Sequence, residues 1–265
     1  MRPQHCEPEL NALIDDPAGA LIALDFDGTL SAIVLDPNES TPVPGAIDAL
    51  VRLSERGAQV AVVTGRDALT ALRLGGLDRI PGVVVSGLHG AETWRAGQLS
   101  TRPEPGGIAQ LRATLPALLA DVDSDAWLED KRLSLVVHTR RSAEPQATLD
   151  RLTGPVTQLA AEHGLDVVGG KFVLEIRIPG LSKADAVQAL LSGDPSAALF
   201  AGDDHGDLPA FEAVSRWAKH TGKRGITIAV GDVEQVRQAA MLQIDSPEQL
   251  VPVLWAVAGE PQHRP

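Results

Sequence analysis

Asp25 and Asp27 close the apolar run Leu21-Ile22-Ala23-Leu24, with Phe26 between them and Gly28-Thr29-Leu30 behind. A continuous apolar run bounded by turn residues reads as a buried parallel strand, and in open α/β sheets ligands sit outside the carboxyl ends of such strands. Two carboxylates held that close repel, so one must carry a proton or a cation must lie between them. Hard oxygen donors of this kind suit Mg2+. A second acidic group follows a later apolar run, where Ala197-Ala198-Leu199-Phe200-Ala201 leads into Gly202-Asp203-Asp204-His205-Gly206-Asp207. Three carboxylates in one glycine-containing turn call for a cation in the same way. Two further places carry complementary groups. Thr64-Gly65 after the apolar run 59–63 offers a hydroxyl and backbone N–H groups at a helix start, which suits a phosphate. Lys183, behind the N-cap candidate Ser182, puts a cation in a first helical turn where the helix dipole disfavours it.

The elements that must position these groups follow from periodicity and breakers. A short helix is expected over 7–16 and another over 44–56, stopped by Gly57. Asp67-Ala68-Leu69 opens the next helix. A third strand at 83–85 runs into a glycine-rich loop carrying His89 and Glu92. Residues 101–107, Thr-Arg-Pro-Glu-Pro-Gly-Gly, form a breaker-rich boundary. Helical patterns over 108–121 and 144–163 contain Pro116 and Pro155, which limit their regularity. Between them, the second half of 127–140 reads as a strand. Gly169-Gly170 is expected to turn a hairpin whose second run places Phe172, Leu174, Ile176 and Ile178 on one face and Lys171, Val173, Glu175 and Arg177 on the other. After Pro179-Gly180 come a helix from Ser182, strands at 197–201 and 226–231, a long basic loop at 219–224, and a terminal apolar helix or strand at 247–258.

Composition narrows the function classes. The 265-residue chain carries 35 acidic against 23 basic residues, a net charge of −12, which argues against nucleic acid or an anionic membrane as a partner. A hydrophobic content of 44% supports a substantial core, and a lone cysteine, Cys6, forms no intramolecular disulfide. The apolar stretch 250–258 falls far short of the roughly 20 residues a membrane helix needs. With no signal-like pattern at the N-terminus, a cytoplasmic location is expected. Neither G-x-x-x-x-G-K-[ST] nor G-x-G-x-x-G occurs, which disfavours a nucleotide-binding protein.

Asp25-x-Asp27-Gly28-Thr29-Leu30, Thr64, Lys183 and Gly202-Asp203-Asp204-x-x-Asp207, in that order after successive strands, resemble the site of the haloacid dehalogenase (HAD) superfamily of phosphatases. The resemblance implies an α/β fold: a Rossmann-like HAD core of residues 1–104 and 181–265, its parallel sheet flanked by helices, with an inserted α+β cap domain over 105–180. It implies that Asp25 attacks phosphorus, that Asp27 acts as general acid and then base, and that Thr64, Gly65 and Lys183 hold the phosphate. Mg2+ is expected among Asp25, Asp27, Asp203, Asp204 and Asp207. The His89-Gly90-x-Glu92 loop, Glu129-x-Lys131-x-x-Ser134-Leu135-x-Val137-His138-x-Arg140 and Gly170-Lys171-x-Val173-Leu174-Glu175-Ile176-Arg177 are similar to the trehalose-6-phosphate phosphatase family. That likeness implies substrate contacts from Glu129, Lys131, Lys171, Glu175 and His89, with Arg140 close by. His205-Gly206 departs from the polar-Thr pair of that pattern and bears on how Asp207 is oriented.

The expected activity is therefore Mg2+-dependent hydrolysis of trehalose 6-phosphate. Another sugar phosphate, such as sucrose 6-phosphate or a glycosyl-phosphoglycerate, is the nearest alternative. A non-catalytic sugar-phosphate-sensing subunit is a third reading, whose mark would be loss of Asp25 or Asp27; both are present. The expected ligand is a small sugar phosphate, the protein partner the resemblance admits is a trehalose-6-phosphate synthase, and the chain is expected to be a monomer.

Overall fold

A computed structural model describes Leu13 and residues 16–259; the helix expected over 7–16 and Cys6 lie outside the described residues or at their margin. From residue 16 onward the elements begin with β1 (Leu21–Leu24), α1 (Ala46–Glu55), β2 (Gln59–Val63), α2 (Ala68–Gly75), β3 (Val84–Gly87), β4 (Glu92–Arg95) and β5 (Gln98–Thr101). It continues with α3 (Gly106–Val122), β6 (Trp127–Asp130), β7 (Ser134–His138), α4 (Pro145–Glu162), β8 (Asp166–Gly170) and β9 (Val173–Arg177). It ends with α5 (Lys183–Leu191), β10 (Ala197–Gly202), α6 (Leu208–Thr221), β11 (Arg224–Val230), α7 (Glu234–Ala239), β12 (Leu242–Ile244) and α8 (Pro247–Val257). Contacts divide it into two units, Met1–Thr101 with Ser182–Pro265, and Arg102–Leu181.

The first unit holds an eight-stranded sheet in the order β12-β11-β10-β1-β2-β3-β4-β5. The pairs from β12 to β3 are parallel, and β4 and β5 are added antiparallel. All four residues of β1 are buried, as a strand covered on both faces requires. Its side chains alternate between two cores. Ile22 and Leu24 pack with Leu50, Leu53 and Leu254, whereas Leu21 and Ala23 pack with Val187, Phe200 and Phe211. The α1 stripe Ala46, Ile47, Ala49, Leu50 and Leu53 covers the first of these faces. Strand order reverses between β1 and β10, and the Asp25 N–H extends their pairing to the Ala201 carbonyl at 2.9 Å. The loops after β1 and β10 therefore leave the sheet side by side at a switch point, where α/β sheets place ligands.

One expectation needs correction here. Residues 219–224 are not a long basic loop: α6 runs through Lys219, His220 and Thr221, Gly222 at φ 72° stops it, and β11 starts at Arg224. The buried stripe Ala210, Phe211, Ala213 and Val214 carries this helix, and its charged last turn is its exposed end. The terminal segment is a helix, α8, with Leu250, Leu254 and Val257 buried. The β4–β5 hairpin and β12 were not anticipated.

The second unit is an antiparallel sheet in the order β6-β7-β9-β8 with two helices on one face. Ile108, Leu111, Leu115 and Leu119 of α3 and Leu149, Leu152 and Val156 of α4 pack on Leu135, Val137, Leu174 and Ile176. Both helices run through their prolines. The strand expected in 127–140 is a hairpin, β6 and β7. The other hairpin also differs from expectation: Gly169 and Gly170 belong to β8, Gly170 faces Val173, and the turn is Lys171-Phe172, with Phe172 at φ 62°. The buried Thr139 explains the shift, because its N–H donates to the Phe172 carbonyl at 3.0 Å while its hydroxyl is anchored on the Pro145 carbonyl at 2.9 Å. Lys171 and Phe172 thus leave the strand faces, while Leu174 and Ile176 keep theirs.

Candidate active site

The centre of the site is a buried charge cluster at the β1/β10 switch point. Asp25 follows β1, and Lys183 at the start of α5 places its Nζ 3.0 Å from Asp25 Oδ1 and 2.7 Å from Asp207 Oδ1. Ser182 caps α5 by accepting from the Asp185 N–H, which fixes the turn that aims Lys183 inward. Asp207 is fully buried, and its Oδ2 accepts from the N–H groups of Asp203 and Asp204 at 3.0 and 3.1 Å. His205-Gly206 therefore leaves Asp207 pointing into the cluster, and His205 itself bonds Gln235 Oε1 at 2.7 Å. Thr29 Oγ1 donates to Asp203 Oδ1 at 3.1 Å. Glycine is required twice: a Cβ on Gly28, which sits at φ 78°, would collide with the Asp203 carboxylate, and one on Gly202 would collide with Asp207.

Charge does not balance within this cluster. Burial pushes the Asp25 carboxyl up to about 7 against the pull of Lys183. Burial raises Asp203 and Asp207 to about 7 as well, with neighbouring carboxylates adding to the rise. Burial disfavours the Lys183 ammonium too, yet Asp25, Asp207 and Asp204 hold it above the ordinary lysine range. Carboxylate oxygens of Asp25, Asp203 and Asp207 lie within 4.8 Å of one another. One ammonium cannot neutralise three carboxylates, and this all-oxygen donor set fits a divalent cation. Asp204 stands apart: it caps the turn His205–Asp207, its side chain is 61% exposed, and its Oδ1 is 3.9 Å from Lys183 Nζ. The Asp27 carboxylate is not part of this three-acid group and is held by Arg66 and Ser40.

The loop after β2 lies beside the cluster-bearing strands. Thr64 is buried, and its Oγ1 accepts from the Arg66 N–H at 3.1 Å, which leaves the hydroxyl proton for another acceptor. Gly65 lies under the His89 ring, since a Cβ there would come within 3.0 Å of His89 Cε1. His89, at φ 55°, donates its N–H to the Thr64 carbonyl at 3.1 Å. Buried Glu92 accepts from the Ala68 N–H at 2.9 Å, so a carboxylate closes the start of α2.

In the second unit, Glu129 faces Val136 and Val136 faces Glu175, so the two acids share a row on the face away from the helices. Two strand spacings separate them by about 10 Å. Each has a partner on the sheet: His138 Nε2 lies 2.7 Å from Glu129 Oε2, and Ser134 Oγ donates to Glu175 Oε1 at 3.1 Å. His138 stacks on Trp127 at 4.6 Å. Lys171 and Arg140 belong to the end of the sheet marked by the His138–Val173 pair, whereas Lys131 follows β6 at the opposite end.

The trehalose-phosphatase family model matches residues 23–248. The chain belongs to the trehalose-phosphatase family. It is 32% identical over 253 residues to the trehalose-phosphate phosphatase of Mycobacterium leprae (strain TN), covering 85% of this chain and 54% of that protein. The chain thus spans little more than half the length of this curated relative. Among solved structures, a trehalose-6-phosphate phosphatase related protein superimposes with a TM-score of 0.70 at 25% identity, over 90% of this chain and 96% of that one. The C-terminal domain of the Candida albicans trehalose-6-phosphate phosphatase shares the fold, with a TM-score of 0.75 at 20% identity over 95% and 96% of the two chains.

Within this family member, Asp25, Asp203, Asp207 and Lys183 come together, and Thr64, Gly65 and His89 form one loop cluster. Arg66, Ser40 and Thr29 carry contacts that sequence reasoning did not assign. Arg66 stands directly after Thr64-Gly65, so its position was visible, but its partner lies 39 residues away. Among the described residues, no helix is long and apolar enough to cross a membrane.

Proposed function

We propose that the chain is a Mg2+-dependent phosphatase that hydrolyses trehalose 6-phosphate through an aspartyl-phosphate on Asp25. The observation that supports this most strongly is the Asp25–Lys183–Asp207–Asp203 cluster, inside the segment that matches the family model. Asp25, Asp203 and Asp207, with the Asp27 carbonyl, would hold Mg2+, which when bound offsets the charge of nucleophile and phosphate and polarises a phosphate oxygen. Asp25 attacks phosphorus in line, the bond to the sugar oxygen breaks, and Asp27 gives that oxygen a proton. Water then attacks the same phosphorus, Asp27 takes its proton, and phosphate leaves a free Asp25 carboxylate. Lys183 keeps the nucleophile oriented, while Thr64 and the Gly65 backbone hold phosphate oxygens. Glu129, Lys131, Lys171 and Glu175 are assigned to the sugar hydroxyls, with Arg140 near them, because charged partners make the strongest hydrogen bonds to such groups.

Phosphate release from trehalose 6-phosphate, sucrose 6-phosphate and glucose 6-phosphate, with Mg2+ and with EDTA, tests this reading. Release is expected with Mg2+, fastest from the first ester, and is expected to vanish in EDTA. Faster release from another sugar would keep the chemistry but overturn the assignment of the sugar readers. No release from any ester would replace the enzyme with a sugar-phosphate-sensing subunit.

A further inference from the structure

Two aspartates two residues apart are held by different cations. Asp25 rests on Lys183, whereas the Arg66 guanidinium forks onto Asp27, Nε to Oδ2 and Nη2 to Oδ1, both at 2.6 Å. The third arm, Nη1, donates to the Pro37 carbonyl at 2.8 Å, and the guanidinium carbon lies 5.6 Å from the Phe26 ring centroid. Ser40 Oγ donates to Asp27 Oδ1 at 2.9 Å and lies 2.8 Å from Ser31 Oγ, so the loop carrying Pro37 and Ser40 closes on the same carboxylate. A planar fork fixes a carboxylate's direction in a way a flexible ammonium does not. The Arg66 side chain is only 15% exposed, while Asp27 stays 40% exposed and open to a ligand. This arrangement anchors Asp27 on one side and leaves it accessible on another.

We propose that Arg66, supported by Ser40, is a positioning residue that aims the Asp27 carboxyl at the leaving sugar oxygen. The inference rests on the phosphatase reading above. Proton transfer needs donor and acceptor within about 2.6–3.2 Å, so a carboxyl free to swing loses most of its effect. Attack by Asp25 draws on Lys183 and needs no contact with Arg66. Loss of Arg66 should therefore hurt only esters whose leaving group must be protonated.

The test compares kcat/KM, which reports events through the first irreversible step, for trehalose 6-phosphate and for p-nitrophenyl phosphate with Mg2+. A sugar alkoxide needs a proton to leave; p-nitrophenolate does not. Arg66→Ala is expected to lower kcat/KM about 100-fold for the sugar ester and less than about 5-fold for the aryl ester. Arg66→Lys, which keeps the charge without the fork, and Ser40→Ala should show smaller losses with the same selectivity. These two also serve if Arg66→Ala does not fold. Equal losses on both esters, or none, would overturn the positioning role while wild-type turnover leaves the phosphatase reading intact. A wild-type chain inert toward the sugar ester would overturn both.

Discussion

Asp25→Asn is expected to lower kcat for trehalose 6-phosphate by at least about 10³-fold, the scale of losing a residue that forms a covalent intermediate. The substitution preserves shape but removes the anionic oxygen proposed to attack phosphorus. Folding should survive, because the change removes one of three buried carboxylates that a single ammonium leaves uncompensated. Lys183 keeps its 2.7 Å contact with Asp207, and the Asp25 N–H still bonds Ala201. Substrate should still bind through the groups proposed to hold phosphate and sugar. Phosphate release by the variant, with mass analysis to exclude deamidation back to aspartate, checks the result. Retained full activity in a verified Asn protein would remove Asp25 from its role.

Lys183→Ala should produce the largest loss of stability. Removing one partner from a buried ion pair typically costs about 3–5 kcal/mol, since the remaining charge stays buried and unpaired. Here two carboxylates, Asp25 and Asp207, lose their contact at once. The loss depends on pH. A carboxyl raised from 3.8 to about 7 in the folded state binds more protons there than in the unfolded chain, so stability falls as pH climbs through that interval. Without the ammonium the folded-state values rise further, and the decline extends to higher pH. Urea unfolding without metal should therefore show a large deficit at pH 8 and a much smaller one at pH 5. Equal deficits at the two pH values would mean that Lys183 stabilises by packing rather than by charge.

Which features were legible in the chain follows from whether their cause is local. β1 is a continuous apolar run because its neighbours cover both faces, and repulsion among Asp203, Asp204 and Asp207 is a property of the string itself. The finer division was not local. Asp204 turns out to cap a short turn, and Asp27 turns to Arg66, because tertiary partners decide where each carboxylate points. The β8–β9 turn differs from expectation for the same reason: Gly-Gly is the stronger local signal, but the Thr139 N–H bond to the Phe172 carbonyl sets the turn two residues on. The β4–β5 hairpin escaped notice because β5 is exposed throughout and shows no burial alternation, although Ala96 and Gly97 at φ 50° and 81° form its tight turn. The length of α6 was hidden by basic residues that resemble a loop but suit a helix C-terminus.

The claim on which the rest depends is that phosphorus passes through Asp25. Stereochemistry at phosphorus tests it most directly, using trehalose 6-phosphate made chiral with three oxygen isotopes and a phosphoryl acceptor that preserves the chirality in the product. Two successive in-line displacements, one by Asp25 and one by the acceptor, predict net retention. Net inversion would show a single direct displacement and contradict the aspartyl-phosphate.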